Sequence, residues 1–172
     1  MCIFYSHIMY LVVENMSTVI FIPARLDSKR LPQKMLCKIG HQPLIAHTID
    51  RAKESDVKNI FLATDSKEIA ATIKNKDVQT RIYEALTTTD PDAQKFDYVI
   101  NLQGDLPFIP ADMINVLKNR IENSNADIAT LVAPIKDLTK INNPNCVKAA
   151  INFFDQSKTA GKAIYFSRQP IP

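Results

Sequence analysis

The stretch Pro23-Ala24-Arg25-Leu26-Asp27-Ser28-Lys29-Arg30-Leu31-Pro32-Gln33-Lys34 carries four basic side chains against one acidic. Bases gathered this closely can converge on an anion. A phosphate chain would be held by the side chains of Arg25, Arg30 and Lys34, by the Ser28 hydroxyl and by backbone N–H groups. A solvated basic loop explains the same charges. Asp105, in Leu102-Gln103-Gly104-Asp105-Leu106-Pro107, follows an apolar run directly. There it is a hard oxygen ligand for a Mg²⁺ ion bridging phosphates, or the acid of an ordinary Gly-Asp turn. Asp65, in Thr64-Asp65-Ser66, is explained by capping the helix that follows. His7, His41 and His47 lack the spacing of a metal site, and no nucleophile elbow is present.

Composition removes other chemistries. Gly40, Gly104 and Gly161 are the only glycines, too far apart for a dinucleotide fingerprint or a Walker loop. Cys2, Cys37 and Cys146 form no Cys-x-x-Cys pair, and a scattered odd set suits reduced thiols in a cytoplasm. With 172 residues, 46% hydrophobic, 23% charged and a net charge of +3, the chain reads as one ordinary globular domain without a nucleic-acid partner. Residues 1–15 are apolar but too short and interrupted for a membrane span, and carry no secretory pattern. Met16 offers a second start, so 1–15 read as a disordered extension and 16–172 as the domain.

The elements that must position these residues follow from periodicity. Thr18–Pro23 is an unbroken apolar run, the mark of a strand buried on both faces in a parallel sheet. Pro43 opens a helix over roughly 43–54, Asn59–Ala63 is a second strand, and Lys67–Lys74 a second helix. Tyr98–Leu102 is a third strand, and after Pro110 the residues Met113, Val116, Leu117, Arg120 and Ile121 keep a helical period. Ile128–Ala133 reads as another strand, and Val147–Phe154 and Ala163–Phe166 close the chain as two more. Alternating strands and helices predict an α/β fold, a doubly wound, mostly parallel sheet with right-handed crossovers. Such sheets bind ligands at the carboxyl ends of their strands, which are the loops at 24–38, 64–66 and 103–107. One interval breaks the rhythm. Between Lys76 and a helix expected around Arg81–Leu86 there are four residues, Asp77 to Thr80, too few for a strand with its loops.

Five ordered motifs carry a resemblance over residues 17–172. They are Ile22-Pro23-Ala24-Arg25-x-x-Ser28-x-Arg30-Leu31-Pro32-x-Lys34-x-Leu36, Ala63-Thr64-Asp65, Asn101-x-Gln103-Gly104-Asp105-x-Pro107, Asn143-Pro144-Asn145-x-Val147-Lys148 and Tyr165-Phe166-Ser167-Arg168-x-x-Ile171-Pro172. Together they resemble the 3-deoxy-manno-octulosonate (Kdo) cytidylyltransferases. The related acylneuraminate enzymes typically carry Gly-Gly-Ser-Lys in the first loop, where this chain has Leu26-Asp27-Ser28-Lys29-Arg30-Leu31-Pro32. The resemblance implies a nucleotide-diphospho-sugar transferase-like (Rossmann-like) sheet. It also implies transfer of CMP from CTP to Kdo with release of pyrophosphate, activating Kdo for lipopolysaccharide synthesis. It implies Mg²⁺ as cofactor, a cytoplasmic location, no membrane or nucleic-acid partner, and a homodimer. By the family pattern Arg25 and Lys34 are catalytic, and Ala24, Arg25, Ser28, Lys34, Asp65 and Gln103 face the nucleotide. Gln103 and Arg168 lie toward the sugar, and Asp105 binds the metal.

The departures from the pattern are also informative. Of the family's strand and Ser/Thr-Gly-Thr-Asp/Glu-Arg loop before the Arg-Ile-x-Glu-Ala helix, only Thr80-Arg81 remains, which implies an internal deletion. The family's late sugar-binding residues, dimer contacts and Gly-x-Asp metal ligand have no counterpart before Pro172. These departures make a catalytically silent remnant the alternative to an active enzyme, or one part of an enzyme completed by a separate product.

Overall fold

The apolar run beginning at Thr18 forms the central strand of a parallel sheet, as its composition requires. In this computed structural model, which describes residues 17–26, 31–73, 76, 79–81 and 96–171, the chain divides into two compact units, 1–129 and 130–172. The expected extension 1–15, the loop residues Asp27 to Arg30, and the expected helix beyond Arg81 lie outside the described residues. The second unit holds the last forty or so residues.

In the first unit, β1 (Thr18–Pro23) pairs in parallel with β4 (Asn59–Ala63) on one side and β6 (Tyr98–Asn101) on the other. A short β5 (Gln79–Arg81) extends the sheet beyond β4, giving the order β5-β4-β1-β6. Period-two alternation sends Ile20 and Ile22 to one face and Val19 and Phe21 to the other. The isoleucine face carries the larger core. Ile45, Ile49 and Ala52 of α1 (Leu44–Lys53), Ile69 of α2 (Lys67–Thr72) and Ile114 of α3 (Ala111–Glu122) all bury against it. On the opposite face Phe21 stacks on Phe61 with ring centroids 5.3 Å apart. Between β1 and α1 runs a small hairpin, β2 (Lys38–Ile39) with β3 (Gln42–Pro43), turning at Gly40 with φ +63°. Helix α1 thus begins one residue after the proline expected to open it.

Three expectations need correction. The interval before residue 81 does hold a strand, because α2 ends at Thr72 and three residues suffice to pair with β4 at a sheet edge. Arg81 belongs to that strand and does not open a helix. Residues 128–133 form no strand; Ile128 is 85% exposed and Val132 55%. A β-branched run favours extended backbone, but a strand exists only where a neighbour takes its N–H and C=O groups. In α3 the expected Ile121 and Leu117 do turn inward, but Ile114 joins them while Met113 and Val116 are exposed, so the buried stripe is only partly the expected one.

The second unit is built on an antiparallel hairpin of β7 (Lys148–Phe153) and β8 (Gly161–Ser167), the two terminal strands expected from the sequence. Its register shifts between Ala150 and Ile151. Among the described residues, no helix is long and apolar enough to cross a membrane.

A polar network ties the β2–β3 hairpin to α1 and to residue 76. Lys76 Nζ reaches both Asp50 carboxylate oxygens at 2.7 Å, and Gln42 Nε2 donates to Asp50 Oδ2 at 3.0 Å. Partial burial raises the Asp50 carboxyl, but hydrogen bonds from Lys76 and Gln42, with the charges of Lys76 and His47, outweigh it and hold Asp50 below its ordinary value of 3.8. A depressed folded-state value contributes stability that is present above pH 3.8 and is lost as the pH falls through the lowered value. Asp50→Asn is therefore expected to flatten the acid limb of a melting-temperature profile recorded from about pH 5 down to about pH 2. At neutral pH it changes stability by about 1 kcal/mol or less. An acid limb identical to that of the wild type would exclude this role for Asp50.

Candidate functional site

The carboxyl ends of β1, β4 and β6 lie side by side, and each contributes to one cluster. Ala24, immediately after β1, is buried, and its N–H donates to the Ala63 carbonyl at 2.9 Å, locking the end of β1 to the end of β4. Leu102 N–H donates to the Phe21 carbonyl at 2.9 Å on the other flank. Arg25 follows Ala24 and is exposed at this end of the sheet. The chain then returns through Gln33, whose φ of 54° and ψ of 27° place it in the left-handed region. Its N–H donates to the Leu26 carbonyl at 3.2 Å, and a single 3-10 turn, Lys34–Leu36, starts from it. That reversal brings Lys34 back to the strand ends.

There Lys34 Nζ meets Asp105 Oδ2 at 2.6 Å, with side chains 34% and 38% exposed. A cation from the basic loop and a carboxylate from the loop after β6 thus occupy one half-exposed spot, 71 residues apart in sequence. The Asp105 loop is held from below. The buried Thr48 hydroxyl of α1 donates to the Gly104 carbonyl at 2.9 Å. Gly104 itself lies so close to β1 that an added Cβ would sit 2.8 Å from the Pro23 carbonyl oxygen and 3.0 Å from Ile45 Cδ1. Only glycine allows that approach.

Sequence reasoning had named Lys34, Asp105, Ala24 and Arg25, and the structure sets all four at this end of the sheet. Gln103 is exposed beside them, its Nε2 donating to Asn101 Oδ1 at 3.3 Å. The sequence reads Asp65 as the cap of α2, but the structure leaves it exposed beyond β4 without that role. That cap is Ser66, whose Oγ accepts from Ile69 N–H at 3.2 Å, while the buried Thr64 Oγ1 accepts from Ser66 N–H at 3.1 Å. Ser66 directly precedes the helix and has the extended backbone of a cap, so its hydroxyl reaches the first-turn N–H. Ser28 lies outside the described residues. Arg168 belongs to the second unit, where its Nη1 donates to the Pro144 carbonyl at 2.9 Å. Thr48 was missed as a functional residue: on the sequence it is one more position of a helical stripe. Its signal is a hydroxyl on an otherwise apolar buried face, which must find a partner.

A side chain other than glycine in the left-handed region costs about 1 kcal/mol or more. Gln33→Gly is accordingly expected to stabilise the chain by about 0.5–1 kcal/mol, raising its melting temperature by roughly 2–4 °C. A fall in melting temperature would show that Gln33 makes a compensating contact worth more than its backbone strain.

Among the described residues no group of three or more His, Cys, Asp or Glu side chains could hold a metal by itself. Asp105 presents one half-exposed carboxylate. That donor set fits a magnesium ion whose remaining ligands are phosphate and water oxygens, the usual way this ion is held beside phosphates.

Known proteins are similar to this chain in sequence and in fold. A family model described as cytidylyltransferase matches residues 19–172. The 3-deoxy-manno-octulosonate cytidylyltransferase of Chelativorans sp. (strain BNC1) is 40% identical over 174 residues, covering 91% of this chain and 68% of that protein. The protein of the same name from Agrobacterium fabrum (strain C58 / ATCC 33970) is 40% identical over 166 residues, covering 90% and 65%. Among solved structures, CMP:2-keto-3-deoxy-manno-octonic acid synthetase complexed with CTP superposes with a TM-score of 0.72 at 28% identity, covering 91% of this chain and 66% of that one. The chain spans about two thirds of the length of these relatives. The first alignment is longer than the whole 172-residue chain although 91% of the chain takes part, so that relative carries residues with no counterpart here. In sequence and in fold alike, the chain belongs to the cytidylyltransferase family, on its 3-deoxy-manno-octulosonate branch.

Proposed function

We propose that this chain binds CTP at the carboxyl ends of β1, β4 and β6 and transfers CMP to 3-deoxy-manno-octulosonate. The observation that carries the reading is the meeting of Lys34 with Asp105 at 2.6 Å where a parallel sheet opens toward its ligands. In the reaction a sugar hydroxyl oxygen bonds to the α-phosphorus, the bond from that phosphorus to the bridging oxygen breaks, and pyrophosphate leaves with the electron pair. The hydroxyl proton passes to solvent. Such a displacement needs positioning and charge neutralisation more than a covalent catalyst. Lys34 and Arg25 supply positive charge to the triphosphate, and Ala24 and Gly104 bring backbone close to it without bulk. Asp65 and Gln103 border the same opening, Gln103 on the side of the sugar. Asp105 would hold magnesium, which neutralises phosphate charge when bound. The nucleoside triphosphate substrate and three cysteines without Cys-x-x-Cys spacing support a cytoplasmic reaction whose product is an activated sugar acid for lipopolysaccharide synthesis.

The test is thermal unfolding of the full chain with and without CTP and Mg²⁺, alongside pyrophosphate release on adding the sugar acid. At a ligand concentration one hundred times its dissociation constant, native-state binding adds about 2.7 kcal/mol, a readily measured upward shift. Pyrophosphate release that requires both CTP and the sugar acid completes the reading. A melting temperature indifferent to CTP would overturn it, and a CTP shift without turnover would leave nucleotide binding and remove transfer.

A further inference from the structure

Lys148 opens β7 and is only 5% exposed. Its ammonium donates to three backbone carbonyls: Asn143 at 2.9 Å, Cys146 at 2.8 Å and Arg168 at 2.6 Å. An ammonium has three N–H donors and no acceptor, so these bonds use all of it. A buried charge is tolerated only when hydrogen-bonded in this way, here by carbonyl dipoles standing where water would otherwise be. The three carbonyls come from two places. Asn143 and Cys146 belong to the turn before β7, which is closed by Cys146 N–H to the Asn143 carbonyl at 3.0 Å and by Asn145 N–H to Asn143 Oδ1 at 2.9 Å. Arg168 follows the last residue of β8.

The same turn holds Arg168 a second time, because Arg168 Nη1 donates to the Pro144 carbonyl at 2.9 Å. Arg168 is therefore gripped at its backbone by Lys148 and at its guanidinium by Pro144, both anchored in residues 143–148. The side chain is otherwise exposed. A guanidinium held at one nitrogen offers its remaining N–H groups in a preferred direction, as the planar fork that matches a carboxylate.

We infer that Lys148 is a positioning residue: it fixes Arg168 so that the guanidinium meets the carboxylate of the sugar-acid substrate in a preset orientation. That Arg168 faces the sugar acid rests on the function proposed above; that Lys148 holds Arg168 does not. Lys148→Met keeps the aliphatic stem and removes the three donors. It is expected to raise KM for the sugar acid about tenfold or more while leaving KM for CTP unchanged. In an Arg168→Gln background it is expected to add little, since both changes remove one orientation. Lys148→Arg, which keeps charge and donors, is expected to recover part of the effect. Equal changes in both KM values, or effects that multiply independently, would overturn the inference.

A second measurement needs no turnover. In ¹⁵N-arginine-labelled chain the Arg168 Nη1–H bonded to the Pro144 carbonyl is expected to exchange with water more slowly in the wild type than in Lys148→Met. Unchanged exchange would sink the hold of Lys148 on Arg168 even if the enzyme is active. Changed exchange without wild-type turnover would uphold that hold and remove only the proposed substrate role.

Discussion

Lys34→Ala is expected to weaken CTP binding about 10- to 100-fold both with and without magnesium, the worth of one charge-assisted contact to phosphate. Asp105→Asn is expected to behave differently in the two conditions. Without the metal, removing the carboxylate 2.6 Å from Lys34 takes a negative charge away from the incoming triphosphate and frees its cation, so metal-free CTP binds as well or better. With the metal, the same variant loses the anionic oxygen ligand and keeps only a neutral amide oxygen, and most of the gain that magnesium brings to CTP affinity disappears. The two variants thus cross over, which a general loss of structure cannot imitate. The pair is half-exposed and contributes about 1 kcal/mol or less to folding, so both variants remain folded. Titration calorimetry of wild type, Lys34→Ala and Asp105→Asn, each with and without Mg²⁺, decides the matter. An Asp105→Asn variant with undiminished magnesium dependence would remove Asp105 from the metal.

Gly104→Ala carries the second large effect. The new methyl would lie 2.8 Å from the Pro23 carbonyl oxygen, a backbone atom at the end of the central strand, and cannot be relieved by turning a side chain. Overpacking of this kind costs about 1–3 kcal/mol, or roughly 3–10 °C in melting temperature for a chain of this size. The nearest relief is to move the 103–105 loop off β1, which also takes the Gly104 carbonyl from Thr48 and Asp105 from Lys34. Stability and CTP affinity are therefore expected to fall together, unlike the Asp105→Asn case, where only the metal-dependent part of binding falls. Thr48→Val isolates one element of this support. It removes the hydroxyl and leaves the Gly104 carbonyl without that donor, at about 1–3 kcal/mol. Differential scanning calorimetry of Gly104→Ala beside Thr48→Val measures both, and a Gly104→Ala chain as stable as the wild type would show that the loop has room the distances deny.

Much of the fold was legible from local pattern. The run at Thr18–Pro23, the stripe over Leu44–Lys53 and the run at Asn59–Ala63 each declare their element because burial demands a period that the residues display within a few positions. The motif order went further and named the family, with Lys34 and Asp105 as a base and an acid at strand ends. Pattern failed where the outcome depends on a partner. Ile128–Ala133 has strand composition but no paired neighbour, while Gln79–Arg81, too short to announce itself, becomes a strand because β4 offers an edge. In α3 the apolar residues are too evenly spread to set the phase, and packing takes Ile114 with the expected Leu117 and Ile121 and leaves Met113 and Val116 exposed.

By itself, then, the sequence determined the helices α1 to α3 and the strands β1, β4 and β6, the family, and the charges available for phosphate chemistry, since these depend on residue type and short-range spacing. Tertiary structure alone decided that Lys34 touches Asp105 across 71 residues, that Thr48 supports Gly104, and that Lys148 clasps Arg168. Those contacts join residues whose nearness is created by strand order and close packing, and no local propensity encodes them.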